Sequence, residues 1–192
     1  MKKYLIMAAC LVAGHLHAQS FRYSSITNTG ITIGSEHPGI TVQTIHGIRH
    51  KSWFAGIGVG YDNYGYKSIP VFADLRKTLG SNTKWQPFVY ADAGLSIALY
   101  DHTYPSKLPY SDGAPLYELH NSFMGEAGLG ISTSLGGSKR LGISAGYSYK
   151  HFSYVEYYYY FYVDPGPGFG FPPYGKQEID YNRLAIKLQF QF

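Results

Sequence analysis

Cysteine is almost absent from this chain, since Cys10 is the only one among 192 residues. Cys10 lies in an N-terminal segment that we expect to be removed, so disulfides, thiolate metal sites and cysteine nucleophiles are excluded from the mature protein. Long apolar runs are also absent beyond that segment, and none approaches the roughly 20 residues that a transmembrane helix needs. A membrane protein with this sequence would have to cross the bilayer as β-strands.

The chain also has only a small excess of positive over negative charge. Lys and Arg number 16 against 12 acids, and removal of Lys2 and Lys3 with the N-terminal segment leaves fourteen against twelve, a net charge of +2. No run of basic residues is present, so a nucleic-acid partner is not expected.

The histidines lack metal-site spacing, and the alternating glycines from Gly56 to Gly60 are typical of a strand rather than a phosphate loop. The sequence therefore assigns no metal, no cofactor and no catalytic residue.

Residues 1–18 have the three parts of a secretory signal peptide. Basic Lys2 and Lys3 precede an apolar stretch from Tyr4 to Gly14, and Ala18 stands before a polar residue. Cleavage is expected after Ala18, which leaves residues 19–192 as a single domain. Met7 to Cys10 could be mistaken for a lipoprotein cleavage box, but the apolar stretch before it is too short for that role.

The C-terminal segment alternates strictly between apolar and polar residues, which predicts a strand with one apolar face and one polar face. The two faces are Leu184, Ile186, Leu188, Phe190 and Phe192 against Arg183, Ala185, Lys187, Gln189 and Gln191. A strand that ends on an aromatic residue resembles the closing strand of bacterial outer-membrane β-barrels. That resemblance implies that Phe192 is read by the barrel-assembly machinery.

Alternation and turn residues divide the mature chain into eight predicted strands, most of them long enough to cross a membrane at a tilt. Their bounds are Ser24–Gly34, Gly39–Arg49, Ser52–Tyr61, Ser68–Thr78, Lys84–Tyr100, Ser122–Leu135, Arg140–Glu156 and Ile179–Phe192. The expected fold is an all-β, eight-stranded, antiparallel, up-and-down transmembrane β-barrel, with a secreted sandwich as the alternative. The first two strands alternate less clearly than the others.

The lengths of the connections agree with a barrel whose N-terminus is periplasmic. The turns after strands two, four and six are short, whereas 101–121 and 157–178 are long and are expected to be exposed outside the cell, and 62–67 is expected to be a loop of intermediate length. Trp53 and Trp85 are expected at the inner rim and most tyrosines toward the outer rim.

Charged residues are predicted on the inward face, where a narrow eight-stranded barrel would require them to pair. They are Asp74, Arg76, Asp92, Glu126, Lys150, Arg183 and Lys187. A plugging ion-pair network is one interpretation of this set. A narrow, gated pore is the other.

The stretches SWFAGIGVGYDNY, SIPVFADLR and PFVYADAGLS are similar to those of small OmpA-like outer-membrane barrels found as surface proteins of Gram-negative bacteria. This resemblance implies a location in the outer membrane, among lipid and lipopolysaccharide, and a structural or surface-interaction role without enzymatic activity. The alternatives are a small passive channel and a lipid A hydrolase. His151 and Ser153 resemble the His-x-Ser pair of such hydrolases, but strand geometry puts Glu156 on the opposite face.

Overall fold

The computed structural model describes residues 21–34, 38–64, 66–80, 84–99, 116–119, 122–157 and 176–192. The predicted signal peptide and Cys10 lie outside these residues. No helix in the described part of the chain is long and apolar enough to cross a membrane. The strands are β1 (Phe21–Gly34), β2 (Gly39–His50), β3 (Trp53–Tyr64), β4 (Tyr66–Thr78), β5 (Trp85–Ala98), β6 (Leu116–Leu119), β7 (Ser122–Gly136), β8 (Lys139–Tyr157) and β9 (Lys176–Gln191).

Eight of these strands form one closed antiparallel barrel in the order β1, β2, β3, β4, β5, β7, β8 and β9, and the pairing of β9 with β1 closes it. Closure leaves no unpaired edge around the wall, which is the condition for a sheet to span a bilayer. The eight-stranded up-and-down barrel expected from the sequence is confirmed.

The short strand β6 lies within the segment 101–121, which the sequence predicts to be a loop. Its residues pair with the outer end of β8, from Leu116 opposite Tyr157 to Leu119 opposite Tyr154. β7 continues along the same edge of β8 from Phe123 opposite His151. β6 therefore lengthens the ladder of β7 beyond the point where the sequence pattern ends.

The stagger of the strands follows from the register. A line of directly paired residues that starts at Ser24 on β1 passes once around the barrel and returns to β1 at Gly34, ten residues further along. The residues between them are Gly47, Gly56, Asp74, Asp92, Glu126, Ser148 and Arg183. An advance of ten residues over eight strands corresponds to a strand tilt of about 40°. This tilt is in the range of transmembrane barrels.

Several strand ends differ from those that the sequence predicts. β3 runs to Tyr64 and β4 begins at Tyr66, with Asn63 paired to Lys67, so the loop expected at 62–67 is wrong. β9 begins at Lys176 rather than Ile179, because backbone pairing with β8 continues where the alternation of side chains is no longer visible. The remaining residues of the two long connections lie outside the described part of the chain.

The turn between β7 and β8 is tight and depends on glycine. Gly136 has a φ of 108° and Gly137 a φ of 59°. Both values lie in the left-handed region, which residues with a Cβ adopt at a cost in free energy. The pair explains why the chain can reverse here within a short turn.

Candidate functional site: the barrel interior and its outer surface

The outer end of the lumen is crossed by an ion pair between opposite walls. Lys150 Nζ on β8 donates to both carboxylate oxygens of Asp62 on β3 at 2.8 Å, and these strands lie four apart in either direction around the barrel. Ser68 donates to the same carboxylate and accepts from Lys150 at 3.0 Å. Ser96 donates to Ser68 at 2.8 Å, so a connected set of polar groups fills this level.

The middle of the lumen is held by Lys187 on β9. Its ammonium lies 2.6 Å from Glu126 Oε1 and donates to Gln43 Oε1 at 3.1 Å. Tyr90 donates its hydroxyl to the same oxygen of Glu126 at 2.7 Å. Asn28 Nδ2 donates to Gln43 at 3.4 Å, which connects four further strands to β9 at this level.

The inner end of the lumen is crossed by Arg76 on β4. Its Nε donates to both oxygens of Asp74, at 3.0 and 2.8 Å. Its NH1 reaches Gln189 Oε1 on the opposite wall at 2.8 Å. The guanidinium also lies 5.9 Å from the ring centroid of Phe88 and 5.5 Å from that of Tyr90, so aromatic rings and polar groups pack together at this end.

Inward aromatic rings take up the remaining space by lying over glycines on the neighbouring strand. Phe72 is paired with Gly58 and Phe88 with Gly130. A Cβ built at either glycine would collide with the ring of its partner. The inward glycines thus make room for large side chains.

Three acidic residues lie side by side on the lumen wall, as direct partners on the adjacent strands β4, β5 and β7. They are Asp74, Asp92 and Glu126. Asp74 binds Arg76 and Glu126 binds Lys187. Asp92 is buried, and neither of its oxygens has a hydrogen-bond partner. Within the described residues no group of three or more His, Cys, Asp and Glu side chains is arranged to hold a metal ion.

All seven charged residues that the sequence places inside the barrel are buried there. Asp62 is a further buried charge, at a position where the sequence predicts a loop. Asp62 follows Gly60 with the same parity as the inward glycines of β3, so continued alternation was a signal that could have identified it. The partners across the lumen could not be read from the sequence.

In the structure, the His151 side chain of the His-x-Ser pair contacts β9. His151 Nδ1 lies 2.7 Å from Asp180 Oδ1 on β9, and Tyr149 donates its hydroxyl to the same oxygen at 2.8 Å. No hydrogen bond joins His151 to Ser153 in the described part of the chain. The side chain of Glu156 lies outside the described residues.

The outside of the barrel is an apolar band between two aromatic rims. Exposed side chains such as Ile57, Leu129 and Leu188 cover it. Trp53 and Trp85 are 45% and 54% exposed at the inner end, as expected, and Lys77 Nζ lies 4.9 Å from the Trp53 ring. A closed barrel with an apolar exterior and a polar interior is an integral outer-membrane protein. The cell outer membrane is therefore the location of this chain, and its resemblance to small outer-membrane barrels is confirmed by its architecture.

No protein-family model matches the chain, and no curated protein matches it. Among solved structures it is similar to Neisserial surface protein A (NspA), with 13% identity and a TM-score of 0.48 over 90% of this chain and 96% of that one. It is also similar to the outer membrane protein OprG from Pseudomonas aeruginosa, with 13% identity and a TM-score of 0.47 over 88% and 95% of the two chains. AlkL, solved in DMPC lipid bilayers, gives 13% identity and 0.48 over 90% and 88%. The assignment of the fold rests on the strand pairing of this chain itself.

Proposed function

We propose that this protein is a structural outer-membrane barrel with a closed lumen and no enzymatic activity, which presents the segments 101–121 and 157–178 to extracellular partners. The closed lumen is supported by two hydrogen-bonded contacts between opposite walls, here called ties. They join Lys150 to Asp62 and Arg76 to Gln189. An eight-stranded barrel is only wide enough for its side chains to fill it. The two ties lie about 17 Å apart along the axis and cross the lumen near its inner and outer ends.

The interior also supports a mechanical role. The middle and inner networks join residues that are more than 100 positions apart, as in Lys187 to Gln43 and Arg76 to Gln189. Such contacts resist deformation of the wall because both partners are buried and charged or strongly polar. A rigid wall suits a barrel that holds external loops in place.

Single-channel recording in planar bilayers tests the closed lumen. The wild-type barrel should give no conductance steps. A variant with Asp62, Lys150, Asp74, Arg76, Glu126 and Lys187 all changed to Ser loses the outer, middle and inner ion pairs together, and it should conduct. Steady conductance of the wild-type barrel would contradict the proposal and would favour a passive channel.

The surface-interaction role is tested separately by removing residues 158–175 between β8 and β9. The shortened barrel should still insert and should lose binding to whole-cell or lipopolysaccharide surfaces that the wild-type protein binds. A barrel that keeps this binding after the deletion would contradict a role for the segment. The C-terminal Phe192 and the barrel-assembly machinery are proposed to direct insertion of both forms.

A further inference from the structure

One part of the lipid-facing surface is polar. The outward faces of β1 and β2 carry a set of neighbouring hydroxyl and imidazole side chains, here called the polar stripe, formed by Ser25, Thr27, Thr29, Thr44 and His46. Ser25 is paired with His46, and Thr27 with Thr44. Between the rims, the described outward residues of β3, β5, β7, β8 and β9 are apolar or tyrosine, and β4 adds Lys77 beside Trp53.

The polar stripe lies inside the apolar band rather than at its edge. Paired residues climb toward the outer end by about 1.25 residues per strand, and each residue rises about 2.5 Å along the axis. On this scale Thr27 lies about 9 Å above the level of Trp53 and about 11 Å below that of Tyr61. Acyl chains surround this depth, and they offer no hydrogen-bond partner.

The hydrogen bonds within the stripe leave donors unused. His46 Nδ1 lies 2.6 Å from the Tyr23 hydroxyl, and its Nε2 lies 3.1 Å from Thr44 Oγ1. A neutral imidazole and two hydroxyls hold three hydrogens for these two bonds, so one hydroxyl hydrogen has no acceptor in either tautomer. The side-chain hydroxyls of Thr27 and Thr29 make no hydrogen bond among the described residues.

We propose that the polar stripe is the interface through which two copies of this chain associate in the membrane. A closed pair of copies inserted in the same direction is related by a twofold axis along the membrane normal, which brings residues near the axis opposite their own counterparts at the same depth. Hydroxyls and neutral imidazole both donate and accept, so the stripe is complementary to itself. The outward faces of β1 and β2 carry no formal charge that would repel a second copy.

Disulfide trapping tests this interface directly, in a Cys10→Ala background that has no other cysteine. Thr27→Cys should form a disulfide-linked dimer under mild oxidation in native membranes. The matched control is Ala91→Cys on β5, four strands away on the opposite wall and within about 3 Å of the same depth. Equal dimer yields from the two variants, or none from Thr27→Cys, would overturn the proposal. A product linked to a different protein would assign the stripe to that partner instead and would equally overturn it.

A second variant tests the hydroxyls without relying on cysteine. Changing Thr27, Thr29 and Thr44 to the isosteric Val preserves shape and removes the hydrogen bonds. Energy transfer between labelled barrels in vesicles should then show an association constant lower by roughly tenfold or more. The barrel itself should remain closed, as judged by its heat-dependent mobility on SDS gels. Unchanged association of a closed Val variant would overturn the proposal.

Discussion

Replacing Lys150 with Met should destabilise the barrel strongly. The side chains of Lys150 and Asp62 are 3% and 9% exposed and meet at 2.8 Å. Removal of the ammonium leaves a buried carboxylate with only a hydroxyl as its partner. Loss of one member of a buried ion pair costs about 3–5 kcal/mol, mostly because the remaining charge is uncompensated.

The double variant Asp62→Asn, Lys150→Met shows whether that explanation is right. A neutral amide can keep the hydrogen bond with Ser68, and Met fills the volume of Lys150, so the double variant should lie within about 1 kcal/mol of wild type. The coupling between the two sites should then be roughly 2 kcal/mol or more.

Both variants can be measured by denaturant unfolding of the barrel in lipid vesicles, followed by the fluorescence of its two tryptophans. Lys139→Met, at an exposed position beside a turn, serves as the control and should change stability by less than about 0.5 kcal/mol. The reasoning is refuted if Lys150→Met costs less than about 1 kcal/mol, or if the double variant is as unstable as the two single changes combined.

Three further predictions concern packing, the lipid face and assembly. Gly58→Val should sharply reduce refolding yield, because its side chain would collide with Phe72, whereas Gly125→Ala, with its nearest neighbours at 3.8 Å, should refold normally. Ala91→Arg places a charge near the middle of the apolar band and should lower the unfolding free energy by about 2–4 kcal/mol in the same vesicle assay; an unchanged value would contradict the assigned depth. Deleting Phe192 should reduce the heat-modifiable fraction made in cells while leaving refolding in detergent intact, and equal loss in both would show that the residue is needed for stability rather than for recognition.

The sequence predicts which side chains of most strands face lipid and which face the lumen, because the two environments favour different residues. Lipid selects apolar residues such as Leu184 and Leu188, and the polar lumen selects Arg183 and Lys187, so a period of two marks each wall. The buried position of all seven predicted charges follows from the same rule. Alternation identifies the face of a residue but not its partner, and the tie between Arg76 and Gln189 depends on a stagger that the sequence does not reveal.

The weaker predictions have local causes. The sequence predicts a loop at Asp62 because Asp-Asn-Tyr-Gly is a typical turn sequence, yet the hairpin of β3 and β4 continues past it. β1 and β2 alternate poorly because Thr27 and Thr44 put hydroxyls on the lipid side, while Asn28 and Gln43 put amides on the lumen side. Polar residues on both faces remove the signal on which a period-2 pattern depends.

The central claim is that this chain is a closed barrel in the outer membrane, and its mobility on SDS gels tests that claim most directly. The protein would be taken from separated outer-membrane fractions and run with and without boiling. A closed barrel resists SDS until it is heated, so the two samples should migrate at different positions. Identical migration of the two samples, with the protein recovered in the soluble periplasmic fraction, would contradict the account.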